Sequence, residues 1–407
     1  MVKHFSSYLL FSILNSGITF VISVFLARSL SVESFGIIGI FLAVLYFVKP
    51  LANFNTIGLV PINKVELNHN DFQIFANNYF SLQVILFFIL FSLSLFFYQI
   101  FPEYKFLILF LPFLSFIMTF TEFHNSELIQ DKNSTQYGLF ILINRIFILF
   151  FTVVFIKILN FDWTAYLWAL LLAESITLLI RFNKNFISLK KFSFLLNKNE
   201  IKNIMIYGLP LFVALLAGWG LNQSDKFIVL HYFSLKEVAF YTVAYSLGVI
   251  INTINQALTN TVVPIIYNAL KENRAKKLIK KYTLYYAVII SIIIFFIGIS
   301  AKYFIPLFYG KEYIESITII ILISVAFGFN GIYRVSGLVI EYYKLNVLKT
   351  KLVFIAMLIN LIVSILLINL YGIFAPAIGT IIAYIFLAFS SQYYGYKILK
   401  EQSETIY

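Results

Sequence analysis

The sequence predicts an all-α polytopic membrane protein of twelve transmembrane helices, arranged as two six-helix lobes related by duplication. Three observations predict it. Apolar residues make up 61% of the 407-residue chain and charged residues only 12%, where a soluble domain is nearer half apolar and a quarter charged. Runs of about 18 or more apolar residues, enough for a hydrocarbon core of about 30 Å, recur along a chain whose mean hydropathy is +0.91. They are continuous rather than alternating, the pattern of helices and not of barrel strands. Finally, the chain repeats at an offset of 203 residues: Phe233-Ser234-Leu235 falls on Leu30-Ser31-Val32, Val238-Ala239 on Phe35-Gly36, and Val263-Pro264 on Val60-Pro61.

By the criterion of about 20 residues per crossing, the spans fall near 7–27, 35–62, 75–100, 105–127, 137–159, 162–182, 204–230, 238–268, 282–300, 314–340, 350–371 and 373–396. The expected division is an N-terminal lobe at 1–183, a basic amphipathic linker at 184–203 and a C-terminal lobe at 204–407. A net charge of +12 would suit a nucleic-acid partner, but the positions of the charges exclude one. Of thirty Lys and Arg residues, twenty fall in loops on one side, six near the other and four within spans. That asymmetry is the positive-inside pattern and places both termini in the cytoplasm. No cleavable signal peptide is expected, since the apolar run from Tyr8 to Leu26 exceeds a signal core of about 7–15 residues. With no cysteine, a disulfide framework and thiol-ligated metal are excluded.

The first span carries Asn15. The second holds Lys49-Pro50 near its middle, then Asn53, Asn55, Gly58 and Pro61; proline removes a backbone hydrogen bond, so a broken helix is expected there. The third and ninth spans are nearly all apolar and are expected to face lipid. In the fifth and sixth, Arg145 and Glu174 each lie about eight residues from the inner end, roughly 12 Å deep, and are expected to pair across adjacent helices. The linker mixes Lys184, Lys190, Lys191, Lys198 and Lys202 with Phe186, Phe192 and Phe194, which suits an interfacial amphipathic segment.

The seventh span is long enough to cross a bilayer, yet contains Asn222, Gln223, Asp225 and Lys226. A charge at that depth costs about 2.5–3.5 kcal/mol on insertion scales, so it marks a hydrated cavity or a partner. The eighth carries Asn252, Asn255, Gln256 and Asn260, with Asn252 and Gln256 one turn apart. Polar residues thus concentrate in the first two spans of each half, which favours a shared polar cavity. Lys271 to Lys281 is a second basic segment, expected to extend the eighth and ninth helices beyond the membrane. On the tenth span, Asn330, Arg334, Gly337 and Glu341 share a face.

Several of these stretches carry a resemblance. They are Ala27-Arg28-Ser29-Leu30 with Phe35-Gly36, Tyr207 to Pro210, Asn222 to Lys226, Val238 to Tyr241, Pro264 to Tyr267 and Pro306 to Tyr313. Together they resemble the Wzx-type polysaccharide flippases, in the superfamily that also holds multidrug extruders and the peptidoglycan lipid flippase. Lys226 stands where many members have Arg. The resemblance implies two six-helix lobes around a central cavity and alternating access in the bacterial inner membrane. It implies a polyprenyl-diphosphate-linked oligosaccharide as cargo, within a lipid bilayer, and polysaccharide polymerase and chain-length proteins as partners; no cofactor is implied.

A diphosphate head needs cations inside the membrane. Lys49, Arg145, Lys226 and Arg334 are the four within the spans, and at least two are expected to neutralise it. Asn222, Asn252 and Asn255, with Trp219 and Tyr245, are expected to meet the sugars. Asp225 is open to two roles, binding a coupling cation or proton, or tying down Lys226; Glu174 is read as a structural ion pair. Two alternatives remain, a cation-coupled multidrug exporter on the same fold and a polysaccharide polymerase. The cations oppose the first and the short external loops the second.

Overall fold

The computed structural model describes residues 2–54, 56–100, 104–184, 186–272 and 274–404, and no strand occurs among them. In chain order the helices are α1 (Val2–Ser29), α2 (Val32–Leu51), α3 (Leu59–Glu66), α4 (His69–Ile100), α5 (Lys105–Gln130) and α6 (Ser134–Lys157). They continue with α7 (Thr164–Lys184), α8 (Ile187–Lys190), α9 (Lys198–Tyr232), α10 (Leu235–Lys271) and α11 (Ala275–Phe308). The last are α12 (Ser316–Ser336), α13 (Leu338–Tyr342), α14 (Asn346–Tyr371) and α15 (Ala375–Glu404). Eleven stretches among the described residues are long and apolar enough to cross a bilayer, and the last, Asn346–Glu401, holds both α14 and α15. Hydrocarbon offers the backbone no water, so each crossing must satisfy its own N–H and C=O groups as a helix.

The repeat is visible at the helix ends. α1 ends at Ser29 and α9 at Tyr232, while α2 begins at Val32 and α10 at Leu235, each pair 203 positions apart. The superposed serines do the same work. The Ser34 N–H donates to Ser31 Oγ at 3.1 Å. Ser234 forms a capping box with Glu237, satisfying donors that the first turn leaves orphaned.

The expected second span is two helices. Pro50 lies in the last turn of α2, which stops at Leu51. Phe54 then adopts a φ of 45°, and the Thr56 hydroxyl donates to the Asn53 carbonyl at 2.6 Å before α3 begins. Gly208 on α9 passes close to this break: a Cβ there would lie 2.6 Å from the Phe54 carbonyl oxygen.

The chain divides into two compact units, Met1–Leu30 with Phe41–Leu215, and Ser31–Ile40 with Leu216–Tyr407. Relative to the halves of the repeat, 31–40 and 204–215 have changed sides. In the first unit, Tyr79, Phe80, Phe123 and Phe186 anchor an aromatic core. The start of α4 is part of it, so this span is buried at one end and lipid-exposed only beyond it. The reason is a polar stripe that hydrophobicity alone hides. Gln73 donates to the Ser188 carbonyl at 2.9 Å, and Asn77 to Ser193 Oγ at 2.9 Å. Asn78 Oδ1 accepts from the Asn197 N–H at 2.6 Å, and Ser81 Oγ from the Leu195 N–H at 2.9 Å. The linker is therefore strapped to α4 by its polar side and leaves Ile187, Phe194 and Leu196 exposed.

In the second unit, the first turns of α2 press on α10. A Cβ at Gly36 would lie 2.1 Å from the Leu235 carbonyl oxygen, and one at Gly39 would lie 1.9 Å from Thr242 Oγ1. Phe35 meets Tyr313 edge-on at 6.0 Å. The Gly36 contact is backbone and cannot rotate aside. Gly36→Ala is therefore expected to destabilise the protein by about 1–3 kcal/mol, read as a lowered Tm in detergent. Gly17→Ala, inside α1 with nothing within 4 Å, serves as the control that is expected not to lower it.

Candidate functional site

The four intramembrane cations fall into three kinds of environment. Lys49, at the end of α2, forms an ion pair with Glu122 on α5. Lys226 on α9 is 4% exposed; its Nζ donates to the Gly39 carbonyl at 3.4 Å and lies 5.5 Å from the centre of the Tyr245 ring. The two arginines are held by neutral amides. Arg145 on α6 donates from Nε to Asn15 Oδ1 at 3.0 Å. Arg334 on α12 donates from Nη1 to Gln256 Oε1 at 2.8 Å and from Nη2 to Asn252 Oδ1 at 3.2 Å. Among the described residues no carboxylate lies within 4 Å of either guanidinium, and both side chains are only partly buried. An arginine fixed at one edge keeps its remaining donors in a planar fork that matches phosphate oxygens.

Glu174 on α7 does not pair with Arg145. It is 9% exposed, accepts from the Thr121 hydroxyl at 3.3 Å, and has no cation within 4 Å among the described residues. One more arginine, counted from sequence with the basic loop residues, is inside the protein. Arg181, in the last turn of α7, is 2% exposed, donates to Asn125 Oδ1 at 2.9 Å and stacks 4.5 Å from the Phe140 ring. Hydropathy placed it at the membrane edge; the packing of α5, α6 and Phe186 around it is tertiary.

Asp225 sits at the centre of a buried cluster built by four helices of the second unit. It is 0% exposed. Its Oδ2 accepts from Tyr245 OH on α10 at 2.6 Å and from Thr380 Oγ1 on α15 at 2.9 Å, and its Oδ1 accepts from Asn360 Nδ2 on α14 at 3.5 Å. Asn360 also donates to the Leu221 carbonyl at 2.9 Å, and Ser364 donates to Asn360 Oδ1 at 2.9 Å. The carboxylate is thus occupied by neutral hydroxyl and amide groups, and no ion pair with Lys226 within 4 Å occurs. Asn360, Ser364 and Thr380 were missed from sequence. The signal available was the i,i+4 spacing of Asn360 and Ser364 within an apolar span.

The other expected sugar contacts divide. Asn252 holds Arg334. Asn222 donates to the Gly218 carbonyl at 2.7 Å and accepts from Tyr384 OH at 2.7 Å. Asn255 is fully buried, donates to the Phe327 carbonyl at 2.8 Å and accepts from Tyr286 OH, so it ties α10 to α11 and α12. Tyr245 is buried on Asp225, and Trp219 packs 5.7 Å from Phe227. Asn55 and the side chains of Pro210 and Asn260 lie outside the described residues. No group of three His, Cys, Asp or Glu side chains suited to a metal occurs among those described.

Known structures share this fold of a helical bundle with many membrane-crossing helices. The chain superposes on an inward-facing multidrug-resistance MATE transporter of the MOP superfamily with a TM-score of 0.78 at 15% identity, covering 96% of each chain. On the lipid II flippase MurJ, in its inward closed conformation, the TM-score is 0.74 at 17% identity, covering 98% of this chain and 93% of that one. A variant of a Vibrio cholerae MATE transporter gives 0.64 at 14% identity, covering 98% and 96%. No curated protein sequence matches the chain. The profile of the family described as polysaccharide biosynthesis protein matches residues 25–318. The protein is a multi-pass membrane protein with the two-lobe transporter fold, and it belongs to that polysaccharide biosynthesis family.

The Asp225 cluster is also a stability element. Asp225→Ala would strand the buried Tyr245 hydroxyl at a cost of about 1–3 kcal/mol, while Thr380 keeps the Pro376 carbonyl and Asn360 the Leu221 carbonyl. It is expected to lower Tm measurably, whereas Asp225→Asn, which keeps an acceptor, is expected to recover most of the loss.

Proposed function

We propose that this protein carries a polyprenyl-diphosphate-linked oligosaccharide from the cytoplasmic to the outer leaflet of the bacterial inner membrane. It works by alternating access, as a transporter that does no chemistry on its cargo, in the assembly of O-antigen or capsule. Both termini face the cytoplasm, and a polymerase with its chain-length partner receives the product. One observation carries the reading. Each unit holds one partly exposed arginine at membrane depth that neutral amides position, with no carboxylate within 4 Å among the described residues, Arg145 on Asn15 and Arg334 on Asn252 and Gln256. Keeping a guanidinium in a membrane without a direct ion pair is costly, and an anionic head group would offset that cost when it binds. The family match and the fold shared with a lipid flippase support the same cargo class. A cation-coupled multidrug exporter would want a carboxylate open to its substrate, and Asp225 and Glu174 are both buried and hydrogen-bonded.

The coupling step is assigned to Asp225. Carboxylate and hydroxyl oxygens from Asp225, Thr380 and Tyr245 converge there, with the amide nitrogen of Asn360 against Oδ1, and hard oxygen donors suit a proton or an alkali cation. Lys226 and the Lys49–Glu122 pair are structural in this reading, and the arginines carry the anion.

Deleting the gene is expected to accumulate the lipid-linked unit and abolish surface polysaccharide. Arg145→Gln and Arg334→Gln, at normal protein levels, are each expected to cut restoration of export by about 10–100-fold, the worth of a charge-assisted contact of about 1.5–3 kcal/mol. Wild-type export by either variant would remove the diphosphate site. Asp225→Asn is expected to export without dependence on the sodium or proton gradient; retained export with unchanged gradient dependence would remove the coupling assignment.

A further inference from the structure

The second unit carries a surface that the transport reading does not use, where α11 leaves the membrane. The hairpin tip from Lys271 to Lys281 has six cations, Lys271, Arg274, Lys276, Lys277, Lys280 and Lys281, against the single acid Glu272, and all six are exposed. At 100° per residue, Lys276, Lys277 and Lys280 point along the stripe of α11 that continues as Leu284, Ala287, Ser291 and Ile294. Leu284 is 61% exposed, so the stripe changes from ammonium groups to open hydrocarbon within one turn. Lys281 Nζ sits 5.4 Å from the Tyr285 ring at that border. Lysine and tyrosine at such a border mark the head-group layer.

Directly beyond the border the stripe is hollow. An apolar groove of about 450 Å³ runs between α11 and α12, lined by Ala287, Ser291, Ile294 and Phe295 on one side and by Gly328 and Ile332 on the other. Its depth at Gly328 comes from the missing side chain: a Cβ there would already approach Ile294 Cδ1 to 3.2 Å. Arg334 stands two positions past Ile332, on the opposite face of α12, and is bonded to α10. A molecule in the groove therefore does not share the arginine.

We infer that this groove and its lysines form a binding site for one anionic phospholipid, an acyl chain between α11 and α12 and the phosphate against Lys276, Lys277 and Lys280. The charge fits this occupant. Several flexible point charges on a helix face, at the level of the head groups, attract anionic lipid additively without the bidentate fork that a tightly held diphosphate favours. The site is separate from the arginines in chemistry as well as position, so it stands whether or not the transport reading does.

The test is lipid binding to the detergent-purified full-length protein, followed by native mass spectrometry with phosphatidylglycerol, phosphatidylcholine and polyprenyl diphosphate. Phosphatidylglycerol is expected to bind at least about tenfold more tightly than phosphatidylcholine. Lys276→Gln/Lys277→Gln/Lys280→Gln should erase that preference; all three side chains are exposed, and an unchanged Tm checks the fold. Ser291→Trp, which fills the groove, should lower the number of bound phosphatidylglycerol molecules by one. Equal affinity for the two phospholipids, or a preference that survives the lysine variant, overturns the inference. Displacement of the phosphatidylglycerol by polyprenyl diphosphate, lost in Ser291→Trp, also overturns it and gives the groove to the cargo.

Discussion

Inside hydrocarbon a polar group has no water to turn to, and this constraint organises both units. Many polar side chains within the crossings are bonded to a neighbour, and those neighbours fix which helices touch. Asp225 shows it most fully: a single carboxylate draws Tyr245, Asn360 and Thr380 onto α9 and so gathers α10, α14 and α15 around it. Asn255 does the same for α11 and α12 through Tyr286 and the Phe327 carbonyl. Without a hydrophobic force between helices in lipid, such bonds and the close approach of small residues decide the packing. Gly36 and Gly39 against α10 are the second device.

The same constraint separates cations that build the protein from cations available to a ligand. Lys49 is neutralised by Glu122, and Lys226 is enclosed between a carbonyl and a tyrosine face. Arg181 is enclosed by Asn125 and Phe140. For Arg145 and Arg334 neutral amides hold one edge of a partly exposed guanidinium. Lys226, adjacent to Asp225 in sequence, looks from the sequence like the first residue to mutate. Its burial and its partners move that place to the two arginines.

The linker shows how hydropathy can be right about composition and incomplete about position. Its aromatic and basic mixture reads as a membrane-surface segment, and Ile187, Phe194 and Leu196 remain exposed as that reading requires. Its other side is bonded to Gln73, Asn77, Asn78 and Ser81 of α4. Those four residues were legible as a polar stripe at helical spacing, but their partners lie more than a hundred positions away. A one-dimensional pattern gives the face of a helix and not what meets it.

What the sequence determined by itself is the class and the frame: the crossings, because apolar length is a local property, and the duplication, because an offset of 203 recurs at Ser31 and Ser234 down to their capping roles. A break near Pro50 was expected from its missing N–H, but Pro112 and Pro264 lie inside α5 and α10 without ending them, so packing decides which proline breaks a helix. The four intramembrane cations were legible as a set. Which of them is paired was not. Glu122 lies 73 positions from Lys49, Asn15 130 positions from Arg145, and Thr380 155 positions from Asp225. Such distances are closed only when helices pack, and burial and partner decide whether a charge serves the fold or a ligand.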